Sequence, residues 1–202
     1  MPARTAEVDR RARAVRAIVL DVDGVLTDAR LYYGPRGEAL KAFSARDGFA
    51  IKLAQREGLV VALLSGRVAA PVRARCRDLA IPARLAIQGS GDKAADLRRL
   101  ARRLGLGLTE LAFVGDDLPD LPALVLAGLA ACPADASAEV IARCHYVCAA
   151  RGGRGAVREV ITRVLEAQGR WQRCVEAAEA GTLRVVASDA RRSKGGRDGR
   201  RT

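Results

Sequence analysis

Between residues 15 and 168, brief unbroken apolar runs alternate with stretches whose apolar positions recur every three or four residues. The runs Val15–Leu20, Leu59–Leu64, Arg84–Ile87 and Leu111–Val114 lack the polar alternation of a half-exposed sheet, so they read as strands buried on both faces. The intervening periods predict helices over Gly48–Arg56, Val68–Leu79, Asp92–Leu104 and Leu118–Leu126. Further strands are expected around Leu129–Cys132 and Tyr146–Cys148, with a closing helix over Ala156–Gln168. Strand and helix in alternation specify an α/β fold, a three-layer Rossmann-like parallel sheet with helices on its faces. One interruption breaks the rhythm. Leu31–Tyr33 and Ala39–Phe43 flank Gly34-Pro35-Arg36-Gly37, a turn composition, so a small β-hairpin flap follows the first strand. The insert is too short to be a cap domain.

The length of 202 residues suits one domain over 15–168, with an N-terminal extension (1–14) and a C-terminal extension (169–202) ending in a basic tail expected to be disordered. A net charge of +12 raises the question of nucleic acid, but residues 184–202 carry +5 of it and residues 1–16 carry +3. With only 3% aromatic residues there is no platform on which bases would stack, so a solvated tail is the expectation rather than a nucleic-acid reader. No apolar run approaches the roughly 20 residues of a membrane span. The charged N-terminus (Arg4, Glu7, Asp9, Arg10) offers no secretory h-region, and the five scattered cysteines suit reduced thiols, which together point to the cytoplasm. Cys144-His145 with Cys148 lacks the fourth ligand that a closed zinc site needs.

The candidate chemistry lies at strand ends, where ligands bind in open parallel sheets. Asp21 and Asp23 end the first run, Ser65-Gly66-Arg67 ends the second, Lys93 opens the helix after the third, and Gly115-Asp116-Asp117 ends the fourth. Residues two apart on an extended chain project to one side, so Asp21 and Asp23 address one point. Several carboxylates at one point repel unless a cation lies among them, and magnesium, hard and oxygen-loving, is the usual one. A calcium loop counted from Asp21 fails, because its sixth position is Leu26 and its twelfth Tyr32. No Gly-x-x-x-x-Gly-Lys-Ser/Thr loop is present. By local sequence Ser65 is equally a helix N-cap. Lys93 sits in a first helical turn, where a cation opposes the helix dipole and argues for an anionic partner.

Asp21-Val22-Asp23-Gly24-Val25, Ser65-Gly66-Arg67, Lys93, and Gly115-Asp116-Asp117 with Asp120 resemble, in order, the four motifs of the haloacid dehalogenase (HAD) superfamily of phosphotransferases, across about residues 15–168. Tyr32-Tyr33-Gly34, Gly37-Glu38, Lys41-Ala42-Phe43, Arg46-Asp47-Gly48, Gln88-Gly89, Asp92-Lys93 and the stretch from Gly152 to Glu159 are similar to its capless sugar-acid phosphatases, the 3-deoxy-D-manno-octulosonate 8-phosphate phosphatase family. The resemblance implies a Mg2+-dependent homotetramer that hydrolyses this phosphate monoester through an aspartyl phosphate, in lipopolysaccharide precursor synthesis. Asp21 would be the nucleophile, Asp23 the general acid and then base, and Ser65 and Lys93 the groups that steady the phosphoryl oxygens. Magnesium would rest on Asp21, the backbone carbonyl of Asp23, and Asp116, while Asp117 and Asp120 would orient metal-bound water or Lys93.

Substrate contacts are implied for Asp23, Arg46, Asp47, Gly48, Lys52, Arg67, Arg75, Lys93 and Arg154, although Lys52 and Arg75 read equally well as exposed helix charges. Residues 151–155 would form a mobile segment that reaches an adjacent subunit's site. Two positions depart from the family pattern: Ala29 stands where relatives often have glycine, and Ser44 where asparagine or histidine is common. A phosphatase for a related nine-carbon sugar-acid 9-phosphate shares the same motifs. A non-catalytic HAD-fold protein, regulatory or nucleic-acid-binding, is the alternative of another class, and the intact Asp21, Asp23, Lys93 and Asp116 argue against it.

Overall fold

The computed structural model describes residues 2–35 and 37–185, so nearly all of the basic tail lies outside the described residues. In chain order the elements are α1 (Pro2–Ala14), β1 (Ala17–Leu20), the hairpin strands β2 (Tyr32–Gly34) and β3 (Gly37–Leu40), α2 (Ala45–Arg56), β4 (Val60–Ser65), α3 (Ala70–Asp78) and β5 (Ala86–Gln88). Then follow α4 (Lys93–Leu104), β6 (Leu111–Val114), α5 (Leu121–Leu126), β7 (Leu129–Cys132), α6 (Ala138–Ile141), β8 (Tyr146–Val147), α7 (Ala156–Ala167) and α8 (Trp171–Glu179).

Six strands make one parallel sheet in the order β5-β4-β1-β6-β7-β8, and β2 and β3 pair as a separate antiparallel hairpin. Right-handed crossovers place α2 and α3 on one face as the chain steps outward from β1 to β5. The return to β6 reverses direction, so α4 and α5 cover the other face. Packing agrees, with α7 seated on α2 and α1, and α4 on α5. The sheet's central residues, among them Ile18, Leu20, Leu63, Leu64, Leu111, Phe113 and Leu129, are fully buried. Each contributes about 1.5–3 kcal/mol by leaving water. β1 pairs with β4 on one side (Leu20 opposite Leu63) and with β6 on the other (Leu20 opposite Val114). It is therefore the strand at which the winding reverses, and the crevice beyond its carboxyl end is the fold's natural ligand site.

The α/β sheet, the hairpin flap and the absence of a cap domain among the described residues match the sequence reading; some element bounds do not. Both terminal extensions contain helices, α1 and α8, that periodicity did not announce. Their apolar stripes are thin: in α1 the buried side chains among those described are Val8 and Ala12, and in α8 only Cys174 is buried. The helix expected over Leu118–Leu126 is divided into a 3-10 turn (Leu118–Asp120) and α5, because Pro119 and Pro122 each remove a backbone donor. α2 starts three residues earlier than expected, where Ser44 Oγ accepts from the Asp47 amide at 3.2 Å as an N-cap. None of the five cysteines forms a disulfide, and all are buried. Among the described residues no helix is long and apolar enough to cross a membrane.

Candidate active site

Asp21 leaves the end of β1 with its amide still bonded to the Val114 carbonyl (2.9 Å), which fixes its backbone against β6. Its carboxylate accepts from Lys93 Nζ at 2.7 Å, and the same ammonium donates to Asp120 Oδ1 at 2.5 Å. Lys93 reaches this point from the first turn of α4, and all three side chains are buried. Asp120 Oδ2 in turn accepts from the amides of Asp116 (2.9 Å) and Asp117 (3.4 Å), shaping the loop that follows β6. Gly24, at φ +86°, lets the β1 loop lie flat against Asp116; a Cβ there would run into the Asp116 carboxylate. The loop is backed from behind as well. Gly153 N donates to the Val25 carbonyl at 2.9 Å, and a Cβ on Gly152 would collide with the Gly24 carbonyl.

Oxygens of Asp21, Asp116 and Asp120 all lie within 4.8 Å of one another. Burial, with the Asp120 carboxylate beside it, pushes Asp21 up to about 7 despite the pull of Lys93, and burial with Asp21, Asp120 and Asp117 pushes Asp116 up to about 8. Burial alone would lower Lys93; the Asp21 and Asp120 carboxylates outweigh it and raise its pKa. Buried like charges of this kind are relieved by a hard divalent cation with oxygen ligands, so the donor set fits magnesium. Asp120 has both oxygens engaged already, by Lys93 and by the two amides, which leaves Asp21 and Asp116 as the side chains with capacity for an ion.

On the flap side, Lys41 at the end of the hairpin donates to the Asp23 carboxylate. Its Nζ also lies 2.5 Å from Glu38 Oε1, an ion pair outside hydrogen-bond angles. Burial by itself would lower the Lys41 pKa, but the Asp23 and Glu38 carboxylates beside it raise it. Arg67, just past β4, donates to Tyr33 Oη (3.0 Å) and to Glu38 Oε2 (3.2 Å), pinning the hairpin to the sheet. Ser65 Oγ closes a local turn, accepting from the Arg67 amide at 3.1 Å. It caps this turn rather than α3, whose N-cap is Ala69. The departure at Ala29 is structural: it holds φ +62°, a left-handed conformation that costs a non-glycine residue about 1–2 kcal/mol.

A cavity of about 670 Å³ gathers Asp21, Asp23, Ser65, Arg67, Lys93 and Asp116. A larger cleft of about 1190 Å³, between α1, β8 and α7, takes in Arg46 and Arg154. We place the chemistry in the smaller one, where the carboxylates and the buried lysine converge.

Four further residues expected at the substrate are not brought to that cavity, for identifiable reasons. Asp47 is buried facing α7, its carboxylate accepting from the amides of Arg158 (2.8 Å) and Gly155 (3.2 Å). Arg75 donates to the Ser44 carbonyl (3.1 Å) and to Asp78 (2.6 Å) and lies over the Phe43 ring. Gly48 leaves the room that the Arg75 guanidinium occupies, and Lys52 faces Asp78 at 3.9 Å. Segment 151–155, expected to be mobile, is fastened to its own chain, since besides the Gly153 bond Gly152 N donates to Asp135 at 2.9 Å. Sequence reasoning passed over Lys41 and Glu38 as site residues, because a charge on a short hairpin reads as solvated until the hairpin is seen folded over Asp23.

A family model described as haloacid dehalogenase-like hydrolase matches residues 85–161. The chain is 42% identical over 166 residues to the 3-deoxy-D-manno-octulosonate 8-phosphate phosphatase KdsC of Escherichia coli K12, covering 82% of this chain and 87% of that protein. Among solved structures, the same phosphatase from Yersinia pestis superposes with a TM-score of 0.79 at 38% identity, covering 82% and 89% of the two chains. The Moraxella catarrhalis phosphatase, solved in complex with magnesium ion, phosphate ion and KDO, superposes at 0.82 with 34% identity, over 85% and 98%. Likeness in sequence and fold across most of both chains settles the kinship: the chain belongs to the 3-deoxy-D-manno-octulosonate 8-phosphate phosphatase family of haloacid dehalogenase-like hydrolases.

Proposed function

We propose that this protein hydrolyses 3-deoxy-D-manno-octulosonate 8-phosphate to the free sugar acid and inorganic phosphate, as a magnesium-dependent phosphatase of lipopolysaccharide precursor synthesis. The observation that carries the reading is the buried Lys93 ammonium, held between Asp21 and Asp120 at the end of β1 beside Asp116. The Asp21 carboxylate attacks phosphorus, and the bond from phosphorus to the sugar oxygen breaks as Asp23 gives that oxygen a proton. Asp23 then takes a proton from the water that attacks the aspartyl phosphate, which frees phosphate and restores Asp21. Lys93 and Ser65 donate to the non-bridging oxygens, and Asp120 holds Lys93 in place. The carboxylates of Asp21 and Asp116 and the backbone carbonyl of Asp23 would hold magnesium, which when bound screens the anionic nucleophile from the anionic phosphate.

Phosphate release measured side by side from the eight-carbon and nine-carbon sugar-acid phosphates tests the assignment. The eight-carbon substrate is expected to turn over faster, with activity lost on chelation by EDTA and restored by magnesium. Equal rates on both would undo the substrate, and activity indifferent to EDTA would undo the metal.

The cytoplasmic setting and the homotetramer belong to the same proposal. An apolar surface on the hairpin and beside it, with Leu31, Tyr33, Leu40 and Val68 all at least 39% exposed, supports a partner copy covering this flap. In such an assembly Arg46 and Arg154 would meet substrate at a neighbour's site, and Arg67 within this one. Light scattering is expected to give a mass four times the 21.4 kDa of the chain; a monomer in solution would contradict the assembly.

A further inference from the structure

We propose that Lys41 is a positioning residue for the leaving-group acid: it fixes the Asp23 side chain from the hairpin, so that protonation of the departing sugar oxygen is coupled to the flap being docked. The inference rests on the reading of Asp23 as general acid.

The Lys41 side chain is 0% exposed, Glu38 is 8% exposed, and an ammonium is not taken out of water without partners. Its partners come from two different elements. Glu38 lies three residues back on the same hairpin, while Asp23 belongs to the loop after β1, 18 residues away in sequence. Arg67, from the end of β4, grips the same Glu38 and Tyr33 of the opposite hairpin strand. The chain of contacts Arg67–Glu38–Lys41–Asp23 thus runs from the sheet through the flap and back to the catalytic loop. A hairpin that lifted away would carry the Lys41 ammonium with it, and the Asp23 side chain, 20% exposed, would keep no other hydrogen-bond partner among those found for its carboxylate. Asp21 is held differently, by Lys93 and by the β6 backbone, so the flap governs the acid without governing the nucleophile.

That division supplies the test. An alkyl sugar oxygen needs a proton to leave, whereas the phenolate of p-nitrophenyl phosphate leaves without one, so loss of a well-placed acid falls on the first substrate and largely spares the second. Lys41→Met is expected to lower the single-turnover rate of leaving-group release, the step that precedes the water attack common to both substrates and the readout for every variant here, about 30-fold with the sugar-acid phosphate and less than about 3-fold with p-nitrophenyl phosphate. Glu38→Gln, which keeps the ammonium but loosens its anchor, should show the same selectivity at smaller size, and it carries the test if Lys41→Met does not fold. Asp23→Asn is measured alongside. Selective loss in all three variants supports the proposal. Selective loss in Asp23→Asn with equal losses on both substrates in the Lys41 and Glu38 variants overturns it, leaving those residues a merely structural part. Equal losses in Asp23→Asn itself would overturn the acid assignment, and the positioning role with it.

Discussion

Asp21→Asn is expected to abolish phosphatase activity, by about 10⁴-fold or more, while the protein remains folded. The asparagine amide is close to the carboxylate in size and keeps an oxygen able to accept from Lys93 Nζ, now 2.7 Å away, and its backbone bond to Val114 is untouched. What it loses is the anionic oxygen proposed to attack phosphorus. Burial already disfavours the Asp21 carboxylate, so a neutral amide costs the fold little. Steady-state turnover with a far-ultraviolet spectrum and a melting curve checks both halves. Turnover comparable to the parent protein would remove Asp21 from the chemistry altogether.

Gly24→Ala should disable the site with a single methyl group. The backbone there sits at φ +86°, which an alanine adopts at a cost of about 1–2 kcal/mol, and the added carbon must push the Asp116 carboxylate aside. Displacing Asp116 weakens the ion it would hold. We expect activity about 100-fold lower at fixed magnesium, saturation shifted to higher magnesium, and a melting temperature lower by about 2–8 °C. Titrating activity against magnesium separates the two effects, since strain alone would lower the melting temperature and leave the titration in place. A variant matching the parent in both would show that Asp116 tolerates the crowding.

The middle of the sheet was legible because its strands are buried on both faces; the edge strands β5 and β8 are only partly buried, and residues 84–85, expected in β5, form a 3-10 turn instead. Runs such as Leu111–Val114 and Leu129–Cys132 have no solvent side to vary, so the apolar pattern alone marks their limits. The acidic residues were legible for a related reason, being polar at the end of a run that has no local use for them. Elements held mainly by tertiary contacts were not. α1 and α8 present two or three apolar positions to α7 and the core, too few to stand out from a charged background. Side-chain direction was likewise hidden: nothing in the sequence around Asp47 tells that its carboxylate serves the start of α7, 108 residues later, or that Arg75 is spent on Ser44 and Asp78. Lys41 erred in the opposite sense, since its burial exists only once hairpin and catalytic loop meet.

The packing of Gly152 and Gly153 against residues 24–27 has a bearing on how the enzyme is made. A ribosome delivers the N-terminus first, so Asp21 emerges about 130 residues ahead of the backbone that props its loop. A nascent chain halted before Gly152 carries every acidic residue of the crevice and still lacks the support that shapes it, so phosphatase activity should switch on once residues 152–153 have been added rather than grow with chain length.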